Sequence, residues 1–163
     1  MVRQEVTAEH FTKESIRAVL QFAPRQAIRL QTVAVHGDAL LLGCMAKYEA
    51  LSPNSSISRY LQREFSIDMK EVLSAALRIP LTHPKKVVVI SGIWFSENAA
   101  RALKAAEEHA QKRSGSRDYE VKRSDIALGL VSEGGEPFRQ LLRLLKISPT
   151  ELVAAMYGNI LAR

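Results

Sequence analysis

Two short stretches decide the fold of this chain: GDALLLG at residues 37–43 and SDIALGL at residues 124–130. Each contains a carboxylate, Asp38 in the first and Asp125 in the second, followed by a short apolar run and a glycine. The shared order suggests that one structural unit is used twice within 163 residues.

The sequence on both sides of these stretches also matches between the two halves of the chain. Residues 11–23 align with 95–110, and residues 60–73 align with 140–153, in the same order along the chain. The differences in length fall in the loops. Repeat 1 has the longer loop after its glycine, with the sequence YEALSPNSSIS at 48–58. Matched segments in a fixed order predict a tandem duplication.

Helix signals occur at equivalent places in both copies. Thr12 and Ser96 can each cap a first helix, because a hydroxyl oxygen accepts from the exposed N–H groups of the first turn. Asp68 and Ser148 are placed to begin the last helix of each copy. Apolar residues between these positions recur every three or four residues, which predicts helices. The expected fold is all-α, with two pseudo-symmetric four-helix repeats in one domain of residues 1–163.

An extended connector is predicted to join repeat 1 (9–78) to repeat 2 (95–158). It spans residues 79–94, where two prolines stop any helix and the VVVI run favours an extended conformation. This connector either packs over the core or exposes an apolar edge to a partner. The connector residues that would contact a partner are Val88, Ile90 and Trp94.

Composition limits the possible classes of protein. The net charge is +6, which invites a nucleic-acid interpretation, but aromatic residues make up only 6% and do not alternate with the basic clusters. A basic helical nucleic-acid binder is therefore a minor alternative. No apolar run reaches the roughly 20 residues that a bilayer requires, so no membrane span is expected. Residues 1–15 lack the apolar core of a signal peptide.

The sequence contains no convincing catalytic, cofactor or metal motif. Gly129 and Gly134 have the spacing of a phosphate-binding loop, but no lysine follows them. The four histidines are dispersed, and the single cysteine, Cys44, has no second cysteine to pair with and lies in an apolar run, which favours a buried, inert thiol. We expect a protein that is not an enzyme and that needs no cofactor.

Taken together, these segments resemble the double repeat of the Clp N-terminal domain over residues 9–158. That module precedes the ATPase rings of Clp-type AAA+ chaperones, and it also occurs alone in the T-type accessory subunits of the plastid Clp protease. The resemblance implies a helical module without catalytic residues that docks substrates, adaptors or the protease ring.

The sequence departs from the family at the start of both opening stretches. The family pattern there is Thr-Glu-His, and in some bacterial members its Glu binds phosphorylated arginine. This chain has Gly37-Asp38-Ala39 in repeat 1 and Arg123-Ser124-Asp125 in repeat 2. We therefore do not expect a phosphoarginine pocket, and the alternative role for both aspartates is helix capping.

The expected function is that of an accessory or adaptor protein of a Clp protease, which binds the proteolytic core or the chaperone ring. The alternative is a docking domain from a Clp AAA+ chaperone. The location would be the plastid stroma for a T-type subunit, or otherwise a bacterial or organellar soluble compartment. Besides the connector, candidate docking faces are the loop 48–58, the basic stretch 112–123 and the acidic SEGGEP loop at 132–137. The candidate partner-binding residues outside the connector are Asp38, Lys112, Arg113, Arg117 and Arg123.

Overall fold

Four helices occur in the same order in each half of the chain. The computed structural model describes residues 8–47, 50–53, 55–81 and 83–154. Repeat 1 contains α1 (Lys13–Arg17), a π-helical turn (Ala18–Phe22) and α2 (Ala23–Arg29) as one continuous helix, then α3 (Gly37–Met45), α4 (Ser56–Phe65) and α5 (Met69–Leu77). Repeat 2 contains α6 (Glu97–Ser114), α7 (Arg123–Glu133), α8 (Gly135–Leu144) and α9 over 149–154.

The predicted helix starts are confirmed at three positions. The Thr12 hydroxyl accepts from the Ser15 N–H at the start of α1, and the Ser96 hydroxyl accepts from the Ala99 N–H at the start of α6. An oxygen of Asp68 accepts from the backbone of α5 in the same way. Each contact satisfies a backbone N–H that has no partner within the helix.

The glycines of the two opening stretches allow the second helix of each repeat to cross the first at close range. A Cβ at Gly43 would lie 2.7 Å from the Ala18 carbonyl oxygen, and one at Gly129 would collide with the equivalent oxygen of Ala102. The stretches thus decide the fold because their glycines allow α3 to pack on the first helix and α7 to pack on α6.

The π-helical turn is the main difference between the first helices of the two repeats. The Ala23 N–H donates to the Ala18 carbonyl five residues back, whereas α6 is regular throughout. Pro24 follows directly, and a proline lacks the N–H that would continue the α-helical pattern. One extra residue is thereby accommodated without breaking the helix.

The connector forms a β-hairpin at its end. Strands β3 (Val87–Ile90) and β4 (Ile93–Ser96) pair antiparallel, while a shorter hairpin joins β1 (Ala46–Lys47) to β2 (Ala50–Leu51). The intervening Ser91 and Gly92 both have positive φ, 51° and 79°. Two central residues with positive φ are what the tight type I′ turn requires.

The two repeats share one core. Buried side chains from both halves form a continuous cluster, and α3, buried along its whole length, contacts α7 and α8 of repeat 2. The Tyr60 hydroxyl of α4 donates to the Leu152 carbonyl of α9 over 3.4 Å. No helix in the described ranges is long and apolar enough to cross a bilayer.

Candidate docking surface

The connector residues predicted to meet a partner lie in different environments. Val88 and Ile90 are 1% and 8% exposed, because alternate residues of β3 face the core. Trp94 is 48% exposed, and its carbonyl accepts from the Val35 N–H at 2.8 Å. Only Trp94 therefore offers a large apolar surface to solvent at the hairpin.

The predicted basic stretch contains two kinds of residue. Lys112 and Arg117 are exposed to solvent. Arg113 forms an ion pair of 2.6 Å with Asp125, a carboxylate that also accepts from the Lys122 N–H. The Arg113 side chain therefore holds the start of α7, while Lys112 and Arg117 remain available at the surface.

Arg123 has an internal role that joins the repeats. One guanidinium nitrogen donates to the carbonyls of Cys44 and Ala46, at 3.1 and 2.8 Å. These are carbonyls at the end of α3 that lack partners within the helix. The guanidinium also lies 6.0 Å from the centre of the Phe22 ring. Arg123 thus caps α3 from the neighbouring repeat.

Asp38 lines an open cavity. The residue is only 5% exposed, and its carboxylate accepts from the Ala39 N–H at 2.8 Å. Burial raises the pKa of the Asp38 carboxyl above its usual value, and the Ala39 N–H and His36 act in the opposite direction. The cavity has a volume of about 390 Å³, and Arg29 lies on its lining together with Leu77 and other apolar residues.

The two remaining predicted loops are less informative. Tyr48, Glu49 and Asn54 of the loop 48–58 lie outside the described residues. In the acidic loop, Glu136 is exposed and pairs with Arg143 of α8 at 3.2 Å.

The cavity beside Asp38 is one end of a longer groove that the sequence did not reveal. It shares Ile79 and Pro80 with a second concavity of about 250 Å³, which in turn shares Arg78 and Leu144 with a third of about 510 Å³. We call these three adjoining concavities the inter-repeat groove, because residues of α5 or directly after it, and residues of α8, line each of them. Its exposed apolar residues are Leu77, Leu81 and Leu144, at 56%, 59% and 40%.

A sequence signal for this groove did exist. Leu81 lies between two prolines, where no helix can bury it, and Leu77 ends α5. A groove assembled from the ends of α2, α5 and α8 nevertheless depends on how distant segments pack. Its position therefore required the structure.

No protein-family model and no curated protein matches the sequence. Among solved structures, the chain is similar to the N-terminal domain of the caseinolytic protease associated chaperone ClpD from Arabidopsis thaliana. The match has a TM-score of 0.68 and 23% sequence identity, and it covers 94% of this chain and 99% of the other. The chain has the Clp N-domain fold. The all-helical fold expected from the repeated segments is thus confirmed.

The polar groups of this Clp N-domain fold do not form a metal site or an activated thiol in the region described. No group of three or more His, Cys, Asp or Glu side chains in that region could hold a metal ion. Cys44 is completely buried, and burial raises the pKa of its thiol to about 12. A thiol with that pKa stays protonated and is a poor nucleophile at neutral pH. The candidate site is therefore the inter-repeat groove, with its exposed apolar and basic side chains.

Proposed function

We propose that the chain is a non-catalytic docking module of a Clp chaperone and protease system, acting as the N-terminal domain of a Clp chaperone does. In this role it would receive substrates or adaptors for an ATPase ring. The observation that carries the proposal is the match to the ClpD N-terminal domain, which extends over nearly the full length of both chains.

The surface of the chain supports docking as the activity. Leu77, Leu81 and Leu144 lie along one groove, although the rest of the apolar side chains are mostly in the core. Exposed apolar residues grouped in this way are typical of protein interaction sites. A docking module needs no catalytic group, which agrees with the expectation that the protein is not an enzyme.

An accessory subunit of the protease is the second candidate. The same fold could bind the proteolytic core directly, as the resemblance to T-type subunits implied. The matched solved structure is a chaperone domain, and therefore the chaperone-domain interpretation has the stronger support. The plastid location belongs to the accessory interpretation and is proposed only with it.

A graft distinguishes the two candidates. The chain is fused in place of the N-terminal domain of a Clp chaperone, and ATP-dependent degradation of casein is compared with that of the chaperone lacking any N-terminal domain. We expect the graft to restore degradation that depends on the domain. In parallel, the free chain is sedimented with the purified proteolytic core without ATP. Binding to the core without any effect of the graft would favour the accessory subunit, and failure of both would contradict a Clp role.

A further inference from the structure

We propose that the inter-repeat groove binds an acidic apolar segment of a partner protein, in which large apolar residues alternate with carboxylates. This inference rests on the proposed docking function and specifies the chemistry of the partner. It depends on three features of the groove: its apolar floor, the charges along it and a described lining without aromatic side chains.

The apolar floor lies at the middle of the groove. Ile79, Pro80 and Leu144 line the smallest concavity, which connects the two larger ones. Leu77 and Leu81 add exposed surface beside the cavity that contains Asp38. An apolar side chain placed there would remove these residues from water, which favours binding. The floor therefore selects a segment with large apolar residues.

The charges along the groove favour an acidic segment. Its cations outnumber its carboxylates, and two of those carboxylates are engaged internally: Asp38 is buried against the Ala39 N–H, and Asp68 caps α5. No described carboxylate is within 4.0 Å of the cationic nitrogens of the groove residues other than Arg143. Apart from Arg143, the exposed cations of the groove are, from one end to the other, Arg29, Arg78, Lys70 and Lys146.

A nucleic acid suits the groove less well. Single-stranded nucleic acids are held by stacking bases on aromatic side chains in addition to backbone contacts. Among the residues that the structure describes, no Phe, Tyr or Trp side chain lines any of the three concavities. Cations beside leucine and isoleucine match a peptide with carboxylates and apolar side chains.

Fluorescence anisotropy with designed peptides tests the proposal on the full chain. The first probe is a short dye-labelled peptide in which Leu and Phe alternate with Asp and Glu. A second probe replaces the carboxylates by amides, and a third replaces the apolar residues by serine. We expect saturable binding of the first, and dissociation constants at least about tenfold higher for the others, since tenfold corresponds to a few exposed charge contacts or one apolar side chain.

Matched variants place the binding in the groove. Arg78→Gln with Lys146→Gln removes two groove charges, and Lys112→Gln with Arg117→Gln removes two exposed charges elsewhere. Leu144→Ser is compared with Trp94→Ser, which changes an exposed apolar residue of the hairpin, away from the groove. We expect the groove variants to weaken binding of the first probe about tenfold and the controls to change it less than about twofold. Circular dichroism verifies that all variants fold.

Three results would overturn the inference. Equal losses in groove and control variants would mean that binding depends on overall charge alone. Equal binding of the acidic and amide peptides would remove the charge selection. Tighter binding of a single-stranded oligonucleotide, with displacement of the peptide, would identify the groove as a nucleic-acid site. If the graft works but any of these results is found, the proposed docking function stands and only the peptide specificity of the groove is wrong. If the peptide binds as expected but the graft fails, the specificity of the groove stands and the proposed Clp function is wrong.

Discussion

The carboxylates at the start of the second helix of each repeat, which lie one position apart in the alignment, have opposite roles. Asp125 of repeat 2 is 1% exposed and forms an ion pair with Arg113, which holds the start of α7. Asp38 of repeat 1 lines a cavity, and its pKa is raised by burial. The same helix start is thus used for internal stability in one copy and opens onto the groove in the other. The repeats share their helical framework, whereas the side chains at these two helix starts differ, and of the two aspartates only Asp38 lines the groove.

The largest effects are expected where the repeats are most alike, at the two helix crossings. Gly129→Ala should lower the free energy of unfolding by about 3 kcal/mol and Gly43→Ala by about 2, because the added methyl meets backbone atoms of Ala102 and Ala18. Helix propensity alone would give the opposite sign, about 1 kcal/mol in favour of alanine. Urea unfolding measures both values.

The control for these variants is Gly115→Ala. This glycine has a φ of 68° and no heavy atom near an added Cβ, so only backbone strain of about 1 kcal/mol is expected. If Gly43→Ala and Gly129→Ala were both as stable as the parent chain, the close crossings and their equivalence would be wrong.

The two aspartates should respond to the same substitution with opposite signs. Asp125→Asn breaks a partly buried ion pair and should destabilise the protein at pH 7 by about 1 to 2 kcal/mol, the exposed side of Arg113 reducing the cost. Asp38→Asn should stabilise it at pH 7, because a neutral amide avoids the cost that burial imposes on an ionisable carboxyl.

The pH dependence of Asp38→Asn follows from the direction of its pKa shift. A carboxyl whose pKa is higher in the folded protein binds its proton more tightly there, so folding is favoured at low pH and loses stability as the pH rises above the unfolded value of about 4. The gain from Asp38→Asn should therefore be present at pH 7 and absent at about pH 3. Equal destabilisation by both aspartate variants at pH 7 would remove the distinction between the repeats.

An effect no larger than that of Asp125→Asn is expected at the contact that joins the repeats. Arg123→Ala removes two hydrogen bonds to carbonyls at the end of α3 and should lower the free energy of unfolding by about 1 to 2 kcal/mol. Arg117→Ala, at an exposed position in the same basic stretch, should change it by less than about 0.5 kcal/mol. Thermal unfolding of both variants compares a capping arginine with a solvated one, and equal stabilities would contradict the capping role.

The fold could be predicted because its signals lie within a few neighbouring residues. The docking surface could not, because it depends on how distant segments pack together. The caps at Thr12, Ser96 and Asp68 were predicted because each depends on a few neighbouring residues. The hairpin turn also had a local signal, Ser91-Gly92, although only an extended connector was expected. The internal contacts of Arg113 and Arg123 depend on how α6 and α7 approach each other and α3, which neither spacing nor charge reveals.

The repeats also agree in a feature that no sequence pattern indicated. Ser66 and Lys146 both have left-handed backbone conformations, with φ of 54° and 59°, and each directly precedes a buried isoleucine, Ile67 or Ile147. Glycine is the usual residue in this conformation, and neither copy has one. The loop geometry has therefore been kept in both copies while the side chain differs, and in repeat 2 that side chain adds a cation to the groove.

One measurement tests the central claim most directly: amide chemical shifts of the ¹⁵N-labelled chain during titration with the acidic apolar peptide. We predict concentration-dependent shifts at Leu77, Arg78, Ile79, Leu81 and Leu144, with little change at Lys112, Arg117 and Trp94. Shifts concentrated at the basic stretch or at the hairpin, or none at all, would contradict a docking surface between the repeats.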